Sequence, residues 1–75
     1  MTTEYELNER IGQNIRMLRC YNDMTQDMLG AKLNITGMQV SRYERGKNAV
    51  DAATLYVIAK LFNVSTEVFF KKVVD

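Results

Sequence analysis

Four residues with short polar side chains, Thr25, Thr36, Asp51 and Ser65, each stand just ahead of a run whose apolar positions recur at helical spacing. Such side chains accept a hydrogen bond from the free N–H groups that open a helix. Asn34, Gly46 and Asn63 stand behind those runs, and both residue types tolerate the left-handed backbone that closes one. No proline interrupts the 75 residues. This punctuation predicts an all-α chain of five helices with no strand. The first spans about 8–21, with Leu7, Ile11, Ile15 and Leu18 on one face and Asn22 and Asp23 ending it. The second spans 26–33, with Leu29 and Leu33 inward and Asp27 in its electropositive first turn. The third runs 37–45 and the fourth 52–62, the latter with Leu55, Ile58, Ala59 and Phe62 on the core face. The last is expected over 66–73, with Val68 inward and Phe69 and Phe70 competing for cover.

The inventory of reactive groups is short. There is no His, and Cys20 is the single Cys, so no imidazole base, His-based triad, zinc site or internal disulfide can be built. Cys20 reads as a small buried or half-buried hydrophobe, since only Arg19 beside it would favour its thiolate. No nucleophile with its base, phosphate loop or metal cluster can be assembled, so the chain is not expected to be an enzyme or to need a cofactor. The length makes one domain, able to bury only roughly 60% of the surface its unfolded chain exposes. Residues 1–9 carry Glu4, Glu6 and Glu9 and no base, and read as an acidic arm ahead of a single domain over 10–75. The longest uninterrupted apolar stretch, 55–59, is far short of a membrane span. A cytoplasmic location is expected.

The net charge of +1 conceals a sorted distribution. Residues 1–9 sum to −3, whereas 10–47 hold Arg10, Arg16, Arg19, Lys32, Arg42, Arg45 and Lys47 against Asp23, Asp27 and Glu44, a balance of +4. Such a patch is either an ordinary solvated surface or an electrostatic footprint for a polyanion. The segment 25–47 is more specific. A capped helix of about eight residues, a turn of about three and a second capped helix are the plan of a helix-turn-helix, whose second helix can enter the major groove of DNA.

Three blocks sharpen this: Met-Thr-Gln-Asp-Met-Leu-Gly-Ala-Lys-Leu at 24–33, Val-Ser-Arg-Tyr-Glu-Arg-Gly-Lys at 40–47, and Ile-Ala-Lys-Leu-Phe-Asn-Val at 58–64. Together they resemble the phage-repressor/Cro (xenobiotic-response-element) family of small bacterial transcriptional regulators over about residues 10–70. The resemblance implies a five-helix, lambda-repressor-like domain with its helix-turn-helix at about 25–45. It implies that Gln26 touches a phosphate or an outer base, and that Gly37, Met38, Gln39 and Arg42 occupy the base-facing positions. Chemically, Gln39 can pair with adenine, Arg42 with guanine or a phosphate, and Met38 with a thymine methyl. Thr25, Thr36, Arg45, Lys47 and Asn48 would contact phosphates. Arg19 and Glu44 would form a structural ion pair, and Tyr43 would pack rather than react. Arg10 and Arg16 fit either solvated charges or flanking phosphate contacts. Two departures from the family stand out: Gly30 replaces the usual Ala at the helix crossing, at about 1 kcal/mol of helix propensity, and Gly37 brings no side chain to a base-reading place.

An apolar set remains once the core faces are assigned: Val57, Leu61, Phe69, Phe70 and Val73. A thin core cannot cover them all, and an exposed apolar patch marks a partner surface. A C-terminal homodimer interface is expected, placing two recognition helices one DNA turn, ~34 Å, apart. The resulting expectation is a homodimeric, cytoplasmic, operator-binding repressor of bacterial, phage or plasmid origin, acting by occupancy on double-stranded DNA, with no small-molecule ligand. The alternative is a protein-binding module, such as an antitoxin gripping a toxin through its Phe69/Phe70 end.

Overall fold

The computed structural model describes residues 2–73. Its elements are α1 (Glu4–Tyr21), α2 (Gln26–Leu33), α3 (Gly37–Glu44), α4 (Ala52–Phe62) and a single 3-10 turn (Thr66–Phe70), with no strand among the described residues. The all-α expectation holds. Four α-helices replace the five expected, because the last element winds as a tighter 3-10 turn and stops at Phe70.

The caps explain the boundaries. Thr25 Oγ1 accepts from the Met28 N–H at 3.0 Å, Thr36 Oγ1 from Gln39 at 3.1 Å, and Asp51 Oδ1 from Thr54 at 2.7 Å. Asn34 and Asn63 close α2 and α4 in the left-handed region, at φ 60° and 57°, where a carboxamide side chain is better tolerated than most. α1 begins four residues earlier than expected. Thr3 and Glu6 form a reciprocal capping box, with Glu6 N–H donating to Thr3 Oγ1 at 3.1 Å and Thr3 N–H to Glu6 Oε1 at 3.3 Å. Residues 4–9 are therefore the first turns of α1 and not an arm, and Glu4 and Glu6 sit where the helix dipole favours negative charge.

The core is one cluster: Ile11 and Ile15 of α1, Leu29 of α2, Val40 and Tyr43 of α3, Leu55, Ile58 and Ala59 of α4, and Phe69. Leu18, Leu33 and Phe62 pack half-buried around it. Phe69 is wholly buried, so the competition with Phe70 is settled inside one chain, and Phe69 leaves the list of dimer-interface residues. Burial of a side chain this size is worth about 1.5–3 kcal/mol. Asn14, itself buried, fixes that packing from α1: its Nδ2 donates to the carbonyls of Arg10 at 2.9 Å, Phe69 at 3.1 Å and Lys71 at 2.8 Å. Turning the Phe69 and Lys71 carbonyls toward α1 takes them away from a helix ladder, and Lys71 is already extended at ψ 141°.

Close approach of backbone positions α3. A Cβ on Gly12 of α1 would run into the carbonyl oxygens of Tyr43 and Glu44 at the end of α3. A Cβ on Gly30 would lie 2.7 Å from the Ile35 carbonyl oxygen and 3.1 Å from the Gly37 nitrogen. The turn between α2 and α3 thus folds directly over Gly30, whose own carbonyl accepts from Ile35 N–H at 2.9 Å. The helix propensity lost at Gly30 is exchanged for a tighter crossing. Cys20 is exposed, contrary to the buried or half-buried place expected, because the inward face of α1 is already filled by Ile11, Ile15 and Leu18. Among the described residues, no helix is long and apolar enough to cross a membrane.

Candidate nucleic-acid interface

α3 is two-faced. Val40, Tyr43 and Glu44 are buried together with Gly37, whereas Met38 is 67% exposed, Arg42 is exposed and Gln39 is half-buried. Positions 38, 39 and 42 fall on one side of a 3.6-residue helix, and 40, 43 and 44 on the other. Val40 and Tyr43 are held in the apolar core and Glu44 by polar contacts, so the outward set is displayed on a fixed platform.

A four-residue polar network locks the platform from behind. Arg19 of α1 donates from Nε to Glu44 Oε2 at 2.6 Å and from Nη2 to Oε1 at 3.0 Å. Its third arm, Nη1, donates to the Met24 carbonyl at 2.7 Å. The two side chains of the pair are only 11% and 3% exposed. The hydrogen bond to Glu44 raises the Arg19 pKa above its ordinary value, against the opposing effect of burial. Gln26, the first residue of α2, donates from Nε2 to Glu44 Oε1 at 3.1 Å. The Glu44 carboxylate therefore ties the end of α3 to α1 and to the start of α2, and Arg19 extends the network to the loop before α2. The amide expected to face DNA is held by that carboxylate from one side, which leaves its Oε1 and second N–H for any outside contact.

Around α3 lie the residues assigned to phosphates. Thr25 and Thr36 are exposed, and each hydroxyl accepts from its own helix, which leaves the O–H proton to donate outward. Lys47 and Arg45 are exposed as well, and Arg45 Nε leans back on the Ser41 carbonyl at 3.4 Å. Asn48 is half-buried, and its Nδ2 donates to Gln39 Oε1 at 3.1 Å. Asp27 adds a feature that sequence reasoning missed. A Cβ on Gly37 would strike its carboxylate, so Asp27 fills the place a side chain at 37 would take and sets a negative charge against the opening turn of α3. That charge suits the helix dipole but opposes anion capture at this helix start. The signal was the glycine itself, at a position where a base-reading side chain was expected.

On the other side, Val57, Leu61 and Phe70 are 49%, 38% and 42% exposed. Tyr56 is exposed beside them, with Lys60 Nζ 5.4 Å from its ring centre. Val73 is half-buried and lines a groove of about 430 Å³ with Gln13, Arg16, Met17 and Cys20.

Two short capped helices joined by a tight turn, the second with its outer face polar and free, define a helix-turn-helix domain. The helix-turn-helix family model HTH_3 matches residues 15–69. The chain belongs to this Cro/C1-type family of DNA-binding transcriptional regulators. It is 39% identical over 61 residues to an uncharacterized HTH-type transcriptional regulator of Sinorhizobium medicae, covering 81% of this chain and 44% of the relative. It is 32% identical over 68 residues to an uncharacterized transcriptional regulator in the ATPase CF(0) region of Rhodospirillum rubrum, covering 91% and 63%. A 55-residue stretch is 38% identical to antitoxin PezA of Streptococcus pneumoniae, covering 73% and 35%. The chain thus spans between about a third and two thirds of these relatives' length. Among solved structures, the clp gene regulator ClgR of C. glutamicum shares the fold, with a TM-score of 0.76 at 22% identity over 84% of this chain and 82% of that one.

Proposed function

We propose that this chain binds a specific, palindromic site in double-stranded DNA as a homodimer and represses transcription by occupying a promoter. The observation that carries this reading is the division of α3: a buried face locked by Val40, Tyr43 and the Arg19–Glu44 pair, and an open face presenting Met38, Gln39 and Arg42. In this reading Met38, Gln39 and Arg42 meet base edges, while Thr25, Thr36, Arg45 and Lys47 hold phosphates and fix register. Gln26 reaches the outermost base or phosphate with the part of its amide that Glu44 leaves free. Val57, Leu61 and Phe70 supply the dimer contact, with Val73 at its margin, and the cytoplasm of a bacterium is the setting.

The test is selection of a binding site from a random duplex pool, followed by fluorescence anisotropy on the selected and a scrambled duplex. The expected outcome is an inverted repeat bound at least 100-fold more tightly than the scrambled duplex, since specific sites exceed non-specific ones by about 10³–10⁷. Arg42→Ala should narrow that ratio, and no enrichment from the pool would overturn the reading. A second reading, a protein-binding antitoxin, is favoured by the likeness to antitoxin PezA and by the exposed Phe70. It predicts that Phe70→Glu abolishes a partner complex while leaving DNA binding intact.

A further inference from the structure

The contact between Gln39 and Asn48 carries the argument one step beyond that reading, on which it rests. After α3 the chain folds back along the helix, with the N–H groups of Lys47 and Asn48 both donating to the Arg42 carbonyl, at 2.9 and 3.4 Å. That reversal brings the Asn48 side chain beside Gln39, nine residues earlier, where its Nδ2 donates to Gln39 Oε1 at 3.1 Å. The backbone N–H of Gln39 is also committed, to Thr36 Oγ1. Gln39 is thus half-buried and tethered at both ends, while Met38 and Arg42 beside it have no hydrogen bond among the described side chains.

A primary amide has one acceptor oxygen and one donor nitrogen. With Oε1 turned to Asn48 and one of its two lone pairs engaged there, the end of Gln39 directed toward a partner is the NH₂ group. The bidentate Gln–adenine pair needs the oxygen outward as well, to accept from the adenine N6 amine; guanine presents two acceptors, N7 and O6, on its major-groove edge. We infer that Asn48 is a specificity-determining positioning residue, which holds the Gln39 amide donor-outward and makes it select guanine over adenine. This replaces both the adenine contact expected of Gln39 and the phosphate contact expected of Asn48.

The decisive variant is Asn48→Asp. It is isosteric, but its carboxylate only accepts, so the Gln39 amide must rotate to donate to it and present Oε1 outward. The selected site is resynthesised with each of the four base pairs at every position of one half-site, and the duplexes are ranked by anisotropy with wild type, Gln39→Ala, Asn48→Ala and Asn48→Asp. Melting followed by circular dichroism checks that each variant is folded. Expected for wild type is one position, identified by its loss in Gln39→Ala, at which guanine is preferred to adenine by about tenfold. Asn48→Asp should reverse that preference toward a base with an exposed amine, cytosine or adenine, and Asn48→Ala should relax it to within a few-fold. The added negative charge weakens every duplex alike and leaves the ratios readable. An unchanged guanine preference in Asn48→Asp, a wild-type preference for adenine, or a Gln39→Ala variant that alters no position would each overturn this inference and leave the proposed function standing. A wild type with no sequence preference at all would overturn the proposed function instead.

Discussion

Glu44 receives three hydrogen bonds, two from Arg19 and one from Gln26, and does so almost fully out of water. Removing one partner of a buried pair strands the other, at a typical cost of about 3–5 kcal/mol. Glu44→Ala should therefore lower the urea midpoint by a corresponding amount, and Arg19→Met/Glu44→Leu should recover much of the loss, because the second variant leaves no uncompensated charge. Asp51 behaves differently. Its hydrogen bonds from Thr54 hold its carboxyl below the ordinary 3.8. A depressed carboxylate stabilises the fold above its unfolded value, and that contribution disappears as pH falls through the lower folded value. Melting temperatures of wild type and Asp51→Asn should thus differ near pH 6 and converge as pH drops below about 3.8; a difference that persists in acid would contradict this role for the charge. The pairing of Arg19 with Glu44 was legible only through family resemblance, since nothing in their separate surroundings along the chain joins positions 19 and 44. The Gln26 and Asn48 contacts were not legible at all, because each depends on how two segments meet.

The helices themselves were legible where a cap residue and an apolar period agreed. α2, α3 and α4 begin at the residues expected from Thr25, Thr36 and Asp51. The apolar period alone places the start of α1 near Asn8, whereas the capping-box spacing of Thr3 and Glu6 sets it at Glu4. The last element was misjudged for a different reason: buried Asn14 captures the Phe69 and Lys71 carbonyls, and a long-range bond of this kind leaves no local trace. Gly30 reverses an expectation drawn from propensity. Alanine there would gain about 1 kcal/mol in an isolated helix, yet its Cβ would sit 2.7 Å from the Ile35 carbonyl oxygen, which is backbone and has little room to move. Gly30→Ala should lower the melting temperature by several degrees, and Gly12→Ala, which would force α1 from the end of α3, by more. An increase in either would show that the crossing is looser than described.

Assembly concerns the face that the core does not use. With Phe69 spent on the interior, Val57, Leu61 and Phe70 remain exposed and Val73 half-buried among the residues expected at a dimer contact. Sedimentation should give a dimer for wild type at tens of micromolar and a monomer for Leu61→Glu, with both equally helical; a monomeric wild type would remove the palindromic requirement. The net charge of +1 remains the reason to expect modest non-specific affinity, since that component scales with the phosphates neutralised. The acidity of Glu4 and Glu6 is built into the first turn of α1, where it stabilises the helix start.

The claim that the open face of α3 reads DNA is tested most directly by titrating the ¹⁵N-labelled chain with its selected duplex and mapping the amide shifts. The largest changes are expected at 25–27 and 36–48, with the amides of Val57, Leu61 and Phe70 nearly still. Changes centred on those three residues, with 38, 39 and 42 unmoved, would contradict it.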